Sequence, residues 1–254
     1  MAGDRGFTLT ELVIVIVIMA IVSTISVRFI QFSTQGAIDT SERQQLAAAG
    51  GIISEILSRE IREALPVSIR TRQGGRCVEL IPILAGGRYQ GQLKESHSEF
   101  TTLGDSQGPV TGRVVVYPYS ASPYELFTPG SVSSSVATWD GSQVSYTDGE
   151  TQRFAAESPR SRFFMVAGPL AFCRSDSGGL LERYDNYALD ANFTTGDSTV
   201  VATGLVTAPA SPLFRVEEAS LTRNALVVIN LELAARRGNE TYQLSQEVQI
   251  RNVP

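Results

Sequence analysis

A 19-residue apolar run, Leu12 to Ile30, constrains this chain more than any other feature of its sequence. Its only charged side chain is Arg28, near the far end. A helix needs about 20 apolar residues to cross the hydrocarbon core of a bilayer, whereas strands usually have about 3 to 10 residues. The run therefore predicts a single membrane-spanning helix, and the basic side chain of Arg5 ahead of it predicts a cytoplasmic N-terminus.

The residues around the run differ from those of an ordinary secretory signal peptide. Such a peptide carries a small-residue cleavage site after its apolar stretch, but here Val27, Arg28 and Phe29 occupy that region. A small residue, Gly6, precedes the run instead. A cut at Gly6 would leave the apolar segment on the mature protein.

Glu11 places a carboxylate at the margin of the apolar run, four residues beyond Phe7. An unpaired carboxylate is costly at that depth of a membrane. Cleavage after Gly6 would give Phe7 a new ammonium group, so we predict an ion pair with Glu11, within one chain or between neighbours. The alternative is that Glu11 lies among the headgroups of the cytoplasmic interface.

The string GFTLTELVIVIVIMAIV, residues 6–22, resembles the type IV prepilin signature. That signature is a short hydrophilic leader ending in Gly, then Phe, then Glu after three intervening residues, then an apolar helix. The resemblance implies that residues 1–6 are a leader and that a prepilin peptidase cleaves between Gly6 and Phe7. It also implies N-methylation of Phe7 and the use of Glu11 to recruit and register the subunit in a filament.

The helical pattern continues past the predicted membrane span, residues 7–32, into an amphipathic continuation over residues 33–66. Its apolar stripe, with charged residues at the other positions, is typical of a helix docked on a core. The stripe consists of Ile38, Leu46, Ile53, Ile56, Leu57, Ile61, Ala64 and Leu65.

One helix is predicted to run from Thr8 to about Leu65, because Pro66 cannot continue it. Glycine is unfavourable inside helices, so Gly36 and the pair Gly50–Gly51 are weak points. Two helices broken at Gly50 are the alternative.

Past Pro66 the apolar pattern changes to a period of two, which is typical of half-buried strands. The stretches Val227–Leu233 and Tyr242–Ile250 flank a Gly-Asn turn signal and predict an antiparallel hairpin. An α+β fold is therefore predicted, with the second half of the helix on an antiparallel sheet in a globular head, residues 67–254. Further strands are predicted at Arg76–Leu84, Arg113–Tyr117, Arg162–Val166, Leu180–Tyr184, Thr199–Val206 and Phe214–Leu221.

Two polar stretches, residues 128–152 and 185–198, are predicted to be surface loops. Each is either a solvated connection or a recognition surface. The second stretch contains Asp185, Asp190 and Asp197, oxygen ligands of the kind that Ca²⁺ prefers. Their spacing does not fit the calcium-loop pattern, so no metal site is predicted.

Cys77 and Cys173 are the only cysteines. The predicted topology puts both in an oxidising envelope compartment, which favours a disulfide. Two buried thiols are the alternative, because Cys173 lies in the apolar run PLAFC.

The sequence lacks the residues that several classes of function require. The formal net charge of −5 leaves no basic field to hold nucleic acid. His97 is the sole histidine and lies in the polar run KESHSEF without a nucleophile-elbow motif, so it is predicted to be an exposed loop residue rather than a catalytic base. No P-loop, dinucleotide fingerprint or standard zinc ligand set occurs, so neither a cofactor nor enzymatic activity is predicted.

The resemblance continues, less specifically, beyond the anchor. Residues 54–70 and the C-terminal SQEVQIRNVP resemble minor pilins and the J-type pseudopilins of type II secretion. The strings REIREALPVSIR, RCVELIPIL and VVVYPYS are most similar to the O-type minor pilins of MSHA pilus systems.

This resemblance implies a non-enzymatic subunit that primes or caps a type IV pilus. Its partners would be other major and minor pilins, the prepilin peptidase and an inner-membrane assembly platform. Its head would lie in the periplasm and then in the extracellular pilus. The alternatives are a J-type pseudopilin, a tip adhesin that binds through its loops, and a membrane-tethered domain that never assembles.

Overall fold

A computed structural model describes residues 8–103, 108–118, 126, 132–175, 179–188, 193–206, 211–217, 225–235 and 240–250. The chain divides into two compact units, residues 1–48 and 49–254. The first unit contains the greater part of the N-terminal helix. The second contains the end of that helix and all the described strands.

Helix α1, Leu9–Arg62, is continuous through Gly36 and Gly50. It ends at Arg62, three residues earlier than predicted, because the next residues pair with a neighbouring segment. The Leu65 amide donates to the Ile81 carbonyl at 2.8 Å, and the Ile83 amide donates to the Glu63 carbonyl at 3.0 Å. The residue before a proline also disfavours helical geometry.

The end of α1, from Gly50 to Ile61, packs against the rest of the second unit through a face that includes small residues. Its buried residues are Gly50, Ile53, Ser54, Leu57, Ser58 and Ile61. Of the predicted stripe, Ile38 remains 42% exposed. A Cβ atom at Gly50 would lie 2.7 Å from Cε1 of Tyr242, so glycine is required there by close packing. The helix continues through this residue because the packing of that face offsets the low helix propensity of glycine.

Alanine substitutions at the two adjacent glycines are expected to change stability in opposite directions. Gly50→Ala should lower the free energy of unfolding by about 1 to 2 kcal/mol, because its methyl group overlaps the Tyr242 ring. Gly51→Ala should raise it by about 0.5 to 1 kcal/mol, because nothing lies within 4 Å and alanine favours the helix. Urea unfolding of the full chain in detergent measures both; equal shifts of the same sign would contradict this packing.

The strands form three antiparallel sheets rather than the single sheet predicted. The strands are β1 Arg70–Arg72, β2 Cys77–Leu80, β3 Ile83–Tyr89, β4 Glu99–Leu103, β5 Val110–Val116, β6 Ser133–Trp139, β7 Gln143–Tyr146, β8 Arg162–Val166, β9 Leu170–Arg174, β10 Leu180–Asp185, β11 Asp197–Thr203, β12 Phe214–Glu217, β13 Leu226–Ala234 and β14 Thr241–Gln249. A five-stranded sheet has the order β1-β2-β9-β10-β11, a closed barrel has the order β3-β4-β7-β6-β5-β8, and a three-stranded sheet has the order β12-β13-β14.

The barrel overturns the prediction of a surface loop for residues 133–146, whereas residues 128–131 of the predicted loop lie outside the described part of the chain. Strands β6 and β7 pair with each other and close the barrel against β5 and β4. Trp139 and Val144 are 1% and 0% exposed, inside a core that also contains Phe100 and Phe163. The segment has a loop-like composition because Thr138 and Ser145 are exposed and β6 begins with three serines, of which Ser133 and Ser134 are nevertheless buried.

The other predicted strands differ from the structure mainly at their ends, and residues 218–221 of the predicted strand Phe214–Leu221 lie outside the described part of the chain. The predicted strand Arg76–Leu84 is two strands, β2 and β3, which belong to different sheets. The predicted loop 185–198 connects β10 to β11; Tyr187 and Phe193 within it are buried, and residues 189–192 lie outside the described part.

The predicted C-terminal hairpin is present. β13 and β14 pair in antiparallel register from Leu226 with Gln249 to Ala234 with Thr241. Its inward residues on β13, among them Val227 and Leu231, are at most 2% exposed.

Candidate functional site at the start of the helix

The first turn of α1 is closed by reciprocal hydrogen bonds between Thr8 and Glu11. The Thr8 amide and hydroxyl donate to Oε2 of Glu11 at 3.0 and 2.9 Å. The Glu11 amide in turn donates to Oγ1 of Thr8 at 3.4 Å. This is a capping box, which satisfies amide groups that have no partner within the helix and places a negative charge at its positive end.

The apolar run beyond Glu11 has no protein covering in the described chain. Large apolar side chains from Leu12 to Ile30 are 49–72% exposed. Within the described residues, α1 is the one helix long and apolar enough to cross a membrane, with a mean hydropathy of 2.7 over an 18-residue window. Such a surface requires lipid or other apolar helices around it.

The polar side chain of Thr24 within this run is satisfied inside the helix. Its hydroxyl donates to the Ala20 carbonyl at 2.8 Å. Such a bond lets a hydroxyl lie in an apolar surrounding without an external partner. Thr24 is therefore compatible with burial in lipid.

The predicted processing residues Gly6 and Phe7 lie outside the described residues. Cleavage between them, methylation of Phe7 and an ion pair of Phe7 with Glu11 therefore stay predictions. What the structure adds is Thr8, which the sequence reasoning did not single out. The pattern Thr8-Leu9-Thr10-Glu11 carries the sequence signature of a capping box and could have identified it.

The two cysteines lie opposite each other in the five-stranded sheet. Cys77 on β2 and Cys173 on β9 are directly paired residues, and a disulfide joins them. Both are buried, at 0% and 4% exposure.

A buried charge lies on the same strand as Cys77. The Glu79 carboxylate accepts hydrogen bonds from Nε of Arg70 at 2.5 Å, Nη1 of Arg72 at 3.0 Å and the Tyr187 hydroxyl at 3.0 Å. Glu79 is 0% exposed. Burial, and then the charge of Glu79, raise the pKa of the Tyr187 hydroxyl, so this group stays a donor. The cluster fixes the β10–β11 connection on the sheet, which the sequence did not reveal.

The three aspartates considered for Ca²⁺ are only partly described. Asp185 and Asp197 are directly opposite on β10 and β11, whereas Asp190 lies outside the described residues. Asp185 accepts a hydrogen bond from Arg183, and Asp197 accepts one from Asn186. Among the described residues no three His, Cys, Asp or Glu side chains form a group that could hold a metal ion.

His97 is half-buried among aromatic rings, not an exposed loop residue as predicted. The ring centroids of Phe100, Tyr146 and Phe154 lie 5.7, 5.7 and 6.1 Å from that of His97. Nδ1 lies 2.8 Å from the Glu95 carbonyl, so Nδ1 is the donor and Nε2 accepts from the Tyr146 hydroxyl at 3.2 Å. Its ring therefore packs at the end of the barrel core, against three of its aromatic residues.

Comparison with known families identifies the N-terminal segment. Residues 1–27 match the family described as the prokaryotic N-terminal methylation motif. No curated protein and no solved structure matches the chain. The matched residues include Gly6, Phe7 and Glu11 and most of the exposed apolar run. The motif and the long apolar helix support a membrane-anchored, type IV pilin-like subunit.

Proposed function

We propose that the chain is a minor pilin that primes or caps a type IV-like pilus, without catalytic activity of its own. The observation that carries this proposal is the methylation motif on a helix whose apolar side chains from Leu12 to Ile30 are not covered by any other described part of the chain. A membrane covers these side chains before assembly, and neighbouring helices cover them in a filament. The 188 residues of the predicted head are large for a repeating shaft subunit, which favours a low-copy position.

The proposed chemistry of assembly begins with cleavage between Gly6 and Phe7 by a prepilin peptidase. Cleavage creates an ammonium group, subsequently methylated, at the depth of Glu11 in the membrane. In the described chain the Glu11 carboxylate accepts two hydrogen bonds from Thr8. A carboxylate oxygen accepts more than one hydrogen bond, so a neighbour's methylated Phe7 adds to the capping box rather than replacing it.

The proposed partners are other major and minor pilins, the peptidase and an inner-membrane assembly platform. The N-terminus is cytoplasmic, and the head is periplasmic before assembly and extracellular in the pilus. The MSHA-type assignment has its support in the sequence resemblance of residues 59–70, 76–84 and 114–120. A J-type pseudopilin of type II secretion is the second candidate, and genes for one system beside this gene would separate the two.

The tip-adhesin alternative depends on two predicted recognition loops, and the first of them consists largely of barrel strands. Residues 133–146 form part of the barrel wall, with the side chain of Trp139 inside. Deleting residues 128–152 would therefore open the barrel and would not test adhesion.

Mass analysis of the mature N-terminus, together with filament counts, tests the proposal. We expect a protein that begins at methylated Phe7, and about tenfold fewer filaments with Glu11→Ala, because one lost ion pair of ordinary strength changes an equilibrium constant by about that factor. Glu55→Ala removes an exposed acid from the same helix and should leave filament number unchanged. A native protein that still carries residues 1–6, or normal filaments with Glu11→Ala, would refute assembly through this motif.

A further inference from the structure

β14 is the outer strand of the three-stranded sheet. It pairs with β13 over nine residues without a register shift. In the part of the chain that the structure describes, no strand pairs with its other edge. β14 therefore presents a long, regular row of backbone donors and acceptors.

The residues that face this open edge follow from the hydrogen bonds at the two ends of the hairpin. The Ile250 amide donates to the Ala225 carbonyl at 3.0 Å, and the Ala235 amide donates to the Glu240 carbonyl at 2.9 Å. Hydrogen-bonded and non-hydrogen-bonded pairs alternate along antiparallel strands, so even-numbered residues of β14 bond to β13. The odd-numbered residues direct their N–H and C=O groups to the open edge; they are Thr241, Gln243, Ser245, Glu247 and Gln249.

The other terminal strands carry features that discourage pairing, and β14 carries none of them. β1 is three residues long with two arginines, β12 is four residues long, and β11 has a register shift against β10. Short, charged or bulged edges are the usual protection of a sheet against unwanted partners. β14 is nine residues long, contains no Pro, Lys or Arg, and carries one charge, Glu247.

We propose that the open edge of β14 pairs with β14 of a second copy of this chain, antiparallel about a two-fold axis at Ser245. This register uses all five odd-numbered residues. It places each Glu247 opposite Gln243 of the second copy and keeps the two Glu247 side chains apart. The Gln243 amide donates one N–H to Glu232 of its own chain, and its second N–H can donate to the Glu247 carboxylate of the second copy. In this register the one charge of β14 therefore lies opposite a hydrogen-bond donor and not opposite a like charge.

The inward face of β14 also favours a second strand. Leu231 and Leu233 on β13 are 2% and 1% exposed, whereas Tyr242 and Leu244 on β14 are only half-buried. In the proposed register Val248 of the second copy lies opposite Tyr242 and covers part of this apolar row. The contact is the same on both chains, so it closes at a dimer, and it does not require assembly into a filament.

Cysteine cross-linking of the full chain in liposomes tests the pairing and its register. The native cysteines are joined in a disulfide, so an introduced thiol is the one available. Ser245→Cys should form a disulfide-linked dimer under mild oxidation, because the two Cα atoms would lie about 5.5 Å apart. Gln243→Cys and Glu247→Cys should each fail alone and cross-link when the two variants are mixed.

Two matched variants separate edge pairing from side-chain effects. Gln243→Pro and Gln243→Ala both remove the amide that donates to Glu232, but only proline also removes the N–H at the open edge. In the Ser245→Cys background, proline should abolish the cross-linked dimer and alanine should keep it. Circular dichroism should show that both proteins are folded.

Three outcomes would overturn the proposal. The first is that Ser245→Cys gives no more dimer than Ser198→Cys, an exposed position on β11. The second is that Gln243→Cys alone cross-links as well as Ser245→Cys, which indicates random collision. The third is that Ser245→Cys cross-links in cells to a different subunit, in which case the edge belongs to that partner.

Discussion

Reduction of the disulfide between Cys77 and Cys173 is expected to lower the free energy of unfolding by about 4.7 kcal/mol. The two cysteines are 96 residues apart in sequence, so the cross-link removes a large amount of conformational entropy from the unfolded chain. The closed loop contains the entire barrel, β3 to β8. Loss of the cross-link should therefore affect both the five-stranded sheet and the barrel.

Urea unfolding of the oxidised and reduced full chain measures this difference. Trp139, the only tryptophan, is 1% exposed in the barrel core, so its fluorescence reports barrel unfolding. The double variant Cys77→Ala with Cys173→Ala controls for packing. It should lose the cross-link contribution and, in addition, the small contribution of the two buried sulfur atoms. Identical unfolding curves for oxidised and reduced wild-type protein would contradict the expected stabilisation.

Local sequence patterns predicted the elements whose stabilising contacts are close in sequence. Helix α1 follows from an apolar run and an apolar stripe at helical spacing, and the structure shifts its end by three residues. The β13–β14 hairpin follows from alternating apolar residues on both sides of a short connection. Both signals depend on residues within a few positions of one another, where pattern and structure correspond directly.

The barrel was not predictable in the same way because its closure joins distant segments. β3 pairs with β8, which lies almost 80 residues later, and no local pattern specifies that partner. The buried residues Ala137, Trp139, Val144 and Tyr146 do alternate with more exposed ones, but the serines that begin β6 gave the segment a polar composition. Ser133 and Ser134 are buried all the same, so composition did not report burial in this part of the barrel wall.

The candidate site shows the same difference between residues that are close in sequence and residues that only the fold brings together. The motif around Gly6, Phe7 and Glu11 is contiguous, so the sequence alone was sufficient to identify it. Thr8 was not predicted as part of the site, although its spacing of three residues to Glu11 is the sequence signature of a capping box. The partners of Glu79 are separated from it by up to 108 residues, and only the folded sheet brings them together.

Glu79→Gln is expected to lower the free energy of unfolding by about 3 kcal/mol. The carboxylate is fully buried and binds two guanidinium groups, whose side chains are 11% and 31% exposed. Removing one partner of a buried ion pair leaves the remaining charge uncompensated, which typically costs about 3 to 5 kcal/mol. The partial exposure of Arg72 lets water compensate some of that charge, so the lower end of the range is expected. Urea unfolding followed by Trp139 fluorescence measures the loss.

Two further substitutions determine whether burial of this charge is the cause. Tyr187→Phe removes one hydrogen bond to the carboxylate and should cost about 1.5 kcal/mol, so combination with Glu79→Gln should be less than additive. Asp185→Ala removes the acid of the more exposed pair with Arg183, on β10, and should change stability by less than about 1 kcal/mol. Losses of equal size at Glu79 and Asp185 would mean that the sheet is stabilised by its overall charge pattern and not by the buried cluster.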